Sequence, residues 1–130
     1  MIKTAEDFVR LRTSEAVEDY HRAAREQASE AVWIDVIQRF PDMRSWVAHN
    51  KTVPVSILAL LATDEDEHIR CFVAQRRKLT LDLFESLAID PSSSVRQRLA
   101  CNAKTPRWIL ERLIHDDDKF VAEAAARRIS

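Results

Sequence analysis

The chemistry most plainly written into this chain is carried by charge at a fixed interval. Arg44, Arg70 and Arg96 recur every 26 residues, and Asp64, Asp90 and Asp116 recur with the same period. A guanidinium presents a planar fork of donors that matches a carboxylate or a phosphate. Carried on successive repeats, the arginines have two uses. They can pair with the aspartates as a ladder that fixes the register of neighbouring repeats, at about 1 kcal/mol or less for each exposed pair. They can also project together and hold a phosphate backbone or a partner's carboxylates. The shared period favours the ladder.

Two further sets of residues bear on binding. Lys51, Arg76, Arg77, Lys78 and Lys104 fall in turns of one kind, whereas the acidic runs 64–67, 90 and 116–118 fall in turns of the other kind. Five cations along one rim suit phosphates, and each phosphate neutralised would steepen the salt dependence of binding. Helix dipoles account for the same segregation without a ligand, since they favour cations at helix C-termini and acids at N-termini. The second set is Leu60, Leu81, Glu85, Trp108 and Arg112. These stand on helix faces left over once the core positions are subtracted. Large apolar groups mixed with Trp and Arg on such a surface fit a protein interface.

Catalytic arrangements are not indicated, and the chain reads as a non-enzyme. His21, His49, His68 and His115 are scattered over different helices or turns and give no recognised metal spacing. No Ser sits in a strained elbow and no Cys neighbours a base in sequence. Cys71 and Cys101 offer neither a disulfide framework nor a ligand pair, so no cofactor is expected. The complete absence of Gly argues against hairpin-rich sheets and against phosphate-cradling loops. A formal net charge of -1 supplies no global field toward nucleic acid or an anionic membrane, so binding of either kind needs a local patch. No apolar run approaches the length of a membrane span and no secretory leader is evident, which predicts a cytoplasmic protein.

The elements that position these residues are helices. Thr4, Ser14 and Ser29 each precede an amphipathic stretch, predicting helices over 5–12, from Ser14 to about Gln27, and from Ser29 to Pro41. The second carries the apolar stripe Ala16, Val17, Tyr20, Ala23 and Ala24. From Asp42 onward the pattern is regular. Each unit has a helix A with an aliphatic-Arg-x-x-apolar-Ala core and a helix B with an apolar-apolar-x-x-Leu core, as in Ile57-Leu58-x-x-Leu61. Between A and B, the segment Asn102-Ala103-Lys104-Thr105-Pro106 suggests a left-handed Asn that stops one helix and a Thr that caps the next. A closing helix is expected over 119–129.

The repeated Val-Arg-x-x-Leu-Ala-x-Asn-x-x-Thr-Pro-x-x-x-Leu-x-x-Leu-x-x-Asp, clearest over 95–116, resembles the leucine-rich repeat variant, a bacterial relative of HEAT-like helical repeats. The middle copy departs from it, with Arg76 in place of Asn and Thr80 in place of Pro. The founding type of that family carries an iron–sulfur domain ahead of its repeats, but the first 70 residues here hold no cysteine. The resemblance implies an all-α, right-handed α-α superhelix of about four helix pairs. Residues 1–41 would form a helical cap or degenerate repeat, continuous with three 26-residue repeats over 42–130. The expected role is a non-catalytic module that binds another protein through the helix-B face, with an inhibitor or immunity-type function in view. The alternative is nucleic-acid binding through the basic rim. Alkyl-purine DNA glycosylases also use HEAT-like stacks, but the catalytic Asp with aromatic neighbours that they require has no evident counterpart here.

Overall fold

A side-chain cap and an acidic first turn start four of the helices, at Thr4, Ser29, Asp66 and Thr80. Thr4 accepts the Asp7 N–H at 3.1 Å and opens α1 (Ala5–Thr13). α2 (Val17–Arg25) begins later than Ser14 suggests, because Ser14 Oγ accepts from Ala16 N and holds a turn ahead of the helix. Ser29 caps α3 (Glu30–Arg39) through Val32 N, and a 3-10 turn at Pro41–Met43 leads into α4 (Arg44–His49) and α5 (Val55–Leu61). Then follow α6 (Glu67–Ala74), α7 (Leu81–Ala88), α8 (Ser93–Cys101), α9 (Arg107–Leu113) and α10 (Lys119–Ile129).

The structure, a computed structural model, describes residues 1–129 and is all-α. Among these residues the only extended pairing is an isolated bridge between Ile2 and Ala28. No described helix is long and apolar enough to cross a membrane. The chain divides into two compact units, one ending at Leu61 and the other starting at Ala62. The helices expected as a cap over 1–41 thus share the first unit with α4 and α5.

In the first unit α1 packs on α2 and α3, and α3 packs on α4 and α5. Phe8, Leu11, Trp33, Val36, Val47, Ile57 and Leu58 are buried together. Phe8 and Trp33 meet edge to face at 5.2 Å, a geometry the ring quadrupoles favour. The stripe on α2 behaves differently: only Ala23 is buried, whereas Val17 and Tyr20 are exposed.

In the second unit α8 is the central element and touches α6, α7, α9 and α10. Ile69, Val73, Phe84, Leu87, Val95, Leu99, Ile109, Leu113 and Val121 form its core. The repeated alanines Ala74 and Ala100 are fully buried, as close approach of one A helix to the next requires.

Two turn assignments are corrected. Asn50 and Asn102 do not adopt the left-handed conformation; their φ,ψ values are -65°, 127° and -69°, 124°, and no described residue has positive φ. They act through their side chains. Asn102 Nδ2 donates to the carbonyls of Ala74 (2.8 Å) and Arg76 (2.7 Å), and its Oδ1 accepts from Lys104 N (2.9 Å). Asn50 Nδ2 likewise donates to Ala23 O and Glu26 O, and its Oδ1 accepts from Thr52 N. Each buried amide therefore ties its own turn to backbone carbonyls 24 to 28 residues earlier in the chain. Thr105 does not cap α9 either: its hydroxyl donates to Leu99 O at 2.6 Å, which satisfies a carbonyl at the end of α8.

Candidate functional site

The aspartates that follow the B helices share one local geometry. Asp64, Asp90 and Asp116 each accept, through Oδ1, the backbone N–H two residues on, at 2.9 Å in all three cases. This Asx-type turn fixes the carboxylate relative to the next A helix. Arg70 on α6 meets it from the preceding repeat, with Nε 2.9 Å from Asp90 Oδ2 and Nη2 3.2 Å from Oδ1. Arg96 on α8 repeats the arrangement on Asp116 at 2.9 and 3.3 Å. The Nη1 atoms of Arg70 and Arg96 also donate backwards, to Asp64 O (2.7 Å) and Asp90 O (2.6 Å). Each arginine thus spans from one acidic turn to the next.

These pairs are far less exposed than their turn positions suggest. Side-chain exposure is 13% and 6% for Arg70 and Asp90, and 15% and 8% for Arg96 and Asp116. The hydrogen bond that Arg70 donates to Asp90 raises the pKa of Arg70, and the one that Arg96 donates to Asp116 raises the pKa of Arg96. Burial pushes the Asp116 carboxyl up, but the Arg96 hydrogen bond and the Asp118 N–H outweigh it and hold the group below its usual value. Arg44 belongs to the first unit and Asp64 to the second; within its own unit Arg44 donates from Nε to Pro41 O at 3.0 Å. In the second unit the periodic charges are engaged in holding turns together.

The basic turn residues separate into kinds. Lys51 lies in the first unit, where its N–H donates to Ala24 O and its side chain borders a cavity with Arg12 and Trp46. Arg76 is only half-exposed, burial pulls its guanidinium below its ordinary pKa, and its carbonyl is held by Asn102. Arg77, Lys78 and Lys104 are exposed. Arg77 shares a shallow cavity of about 290 Å³ with Arg98, Gln75 and Cys101. Sequence reasoning missed Arg98 because it lies in the last turn of α8 and not in a loop. A register comparison offers the signal: positions 46, 72 and 98 hold Trp, Phe and Arg, so a charge replaces an aromatic group in the last copy.

The helix-B face is the third arrangement. Leu81 and Glu85 lie on α7, and Trp108 and Arg112 on α9, two helices that pack against each other. Leu81 is 61% exposed and Trp108 39%, and both Glu85 and Arg112 are exposed. The Arg112 guanidinium lies 5.6 Å from the centroid of the Trp108 ring, within reach of a cation–π contact. Leu60 is exposed on α5 of the first unit. Val17 and Phe120 are also exposed but lie on other helices, and the exposed Ile89 caps the C-terminus of α7, whereas Leu81 and Trp108 occupy neighbouring helices.

Among the described residues no three His, Cys, Asp or Glu side chains come together closely enough to hold a metal ion. Cys71 is buried, which raises its thiol pKa, and Cys101 is exposed; both are reduced. Comparison with protein-family models, with curated proteins and with solved structures finds no match to this chain.

Proposed function

We propose that this chain is a HEAT-like helical-repeat protein of the leucine-rich repeat variant type, and that it acts as a non-catalytic, cytoplasmic protein-binding module. The binding face comprises Leu81 and Glu85 on α7 with Trp108 and Arg112 on α9, and Leu60 on α5 is a further apolar point offered by the first unit. The observation that carries this reading is the exposure of Leu81 and Trp108 on adjacent packed helices, where a solvated face would favour charge. Trp and Arg flanked by polar groups are the composition of interface hot spots. Supporting the repeat assignment are the two Arg–Asp pairs at the same 20-residue separation and the two Asn clamps in equivalent turns. An inhibitor or immunity-type role suits such a module, since blocking a partner needs contact surface and no chemistry.

The second reading is nucleic-acid binding through the basic turns. Arg77 and Arg98 around one cavity, with Lys78 and Lys104 exposed, favour it. Capture from a native lysate at about 0.1 M and about 0.5 M salt, with and without nuclease, separates the two. A protein retained at high salt after nuclease supports the apolar face. Binding lost with nuclease or at high salt supports the basic turns and overturns the first reading.

A further inference from the structure

The last turn of α8 and the turns that follow α6 and α8 carry Arg98, Arg77, Lys78 and Lys104, and no acid. All four are exposed, and none of their side chains meets a carboxylate or forms a hydrogen bond with a described residue. Arg22, Arg39, Arg70, Arg96 and Arg107, by contrast, are each ion-paired. Cations gathered without counter-ions favour binding of an anion, and two guanidinium forks give it geometry as well as charge.

The surroundings define what kind of anion. Arg77, Arg98, Gln75, Cys101, Asn102 and Ala103 line the cavity of about 290 Å³, and its wall has no carboxylate. It lies at the C-terminal ends of α6 and α8, where bare carbonyls would repel an anion. Several of those carbonyls are already engaged. Phe72 O and Val73 O accept from the backbone of Gln75 and Arg76, Ala74 O accepts from Asn102 Nδ2, and Leu99 O accepts from the Thr105 hydroxyl. The Asn102 amide is used up in that clamp, which leaves two guanidinium groups and the unbonded Gln75 amide as donors. A phosphate monoester carries about -1.5 to -2 near neutral pH and matches the two guanidinium charges, whereas a carboxylate leaves one uncompensated. No aromatic ring stands in the wall for a base to stack on, and Gln75 can bond a hydroxyl. The volume sits just under the range of about 300–1,000 Å³ typical of drug-sized ligands, which suits a phosphate on a small polar body.

We propose that this cavity binds a small hydroxylated phosphate monoester, of the glycerol phosphate or sugar phosphate class, with Arg77 and Arg98 holding the phosphate and Gln75 a hydroxyl. The site uses none of the residues of the helix-B face and does not depend on the protein-binding reading. It shares Arg77 and Arg98 with the nucleic-acid reading, but one phosphate group fills it. It also gives a role to Arg98, which stands where the earlier copies hold Trp46 and Phe72.

The test is a titration of the full chain with glycerol phosphate, glycerate and inorganic phosphate at about 0.02 M salt, where screening is weak, read by NMR shifts of the amides of residues 75–77 and 98–103. Saturable binding of glycerol phosphate with a Kd of about 2 mM or tighter is expected, at least about five-fold tighter than glycerate and about two-fold tighter than inorganic phosphate. Arg98→Gln should weaken it by about five-fold or more with the urea midpoint unchanged, since the side chain is exposed and unpaired; should that variant fail to fold, Arg77→Gln provides the same comparison. Arg10→Gln, which removes an exposed cation from the first unit, should leave the affinity as it is. Glucose phosphate as a further probe shows which polar body is preferred, and tighter binding of either supports the site. A short single-stranded oligonucleotide separates this site from the nucleic-acid reading. Oligonucleotide binding without glycerol phosphate binding overturns the cavity and leaves that reading standing, and the reverse supports the cavity alone. No saturation by about 20 mM glycerol phosphate, glycerate or inorganic phosphate binding as tightly, wild-type affinity in both arginine variants, or an equal loss in Arg10→Gln would overturn the proposal.

Discussion

The two compact units use the same types of residue to different ends. In the second, arginines at the repeat period are spent on turns: Arg70 and Arg96 each bridge consecutive acidic turns, with almost no side-chain surface left to solvent. In the first, the off-period Arg12 is held by two aromatic faces and meets no carboxylate. The difference is that Arg70 and Arg96, 26 residues apart, join consecutive acidic turns, whereas Arg12 stands outside that period and is held by aromatic faces alone. Trp108 and Arg98 also depart from the period, since positions 56 and 82 hold Ser and Asp, and positions 46 and 72 hold Trp and Phe.

The strongest way to break this comparison is to remove an in-register residue from the second unit. Asn102→Ala deletes a buried bond to Ala74 and a part-buried one to Arg76 and leaves those carbonyls without that donor, so urea denaturation should report a loss of about 3 kcal/mol. Asn50→Ala should cost a similar amount in the first unit, where the amide makes the equivalent contacts. A cost below about 1 kcal/mol in both would mean that the clamps do not join the repeats.

Next in size is the ladder. Asp116→Ala strands the mostly buried Arg96 and should cost about 2–3 kcal/mol, well above the value for an exposed pair. The sign of the pH dependence follows from the depressed pKa of Asp116. Its pairing stabilises the fold above the unfolded-state value of about 4, and that contribution is lost as pH falls through the lower folded-state value. Stability should therefore drop as pH falls below about 4, and the slope there should be shallower in Asp116→Asn. An unchanged slope would show that other carboxylates govern acid unfolding.

Much of the scaffold was legible before these contacts were seen, and the reason is local. Thr4 ahead of α1, Ser29 ahead of α3 and the Ala-rich stretch of α10 each signal a helix through short-range hydrogen bonding and periodicity. What could not be read depends on contacts far apart in sequence. Asn102 resembles a helix stop because the carbonyls it binds lie 26 and 28 residues earlier. The ladder pairs are legible as a period, but not their burial, which comes from how α6 and α8 pack. The aromatic cavity is built from α1, α2 and α4, whose sequences share no repeat, so no pattern links Arg12 to Tyr20 and Trp46.

The smallest expected effect on stability belongs to the out-of-register face. Leu81→Asp alone should lower stability by no more than about 0.5 kcal/mol, because its side chain is 61% exposed, and adding Trp108→Asp, whose ring is 39% exposed, should bring the loss in the double variant to about 1–2 kcal/mol. A larger loss would place them in the core and not on a binding face. The most direct measurement of the central claim uses this double variant as bait in a nuclease-treated native lysate, beside the wild type and the Arg77→Glu, Lys78→Glu variant. The account predicts a protein partner that is retained by the wild type and by the charge-reversed variant and is lost from the Leu81, Trp108 variant. Retention by the Leu81, Trp108 variant with loss from the charge-reversed one would contradict it and assign binding to the basic turns.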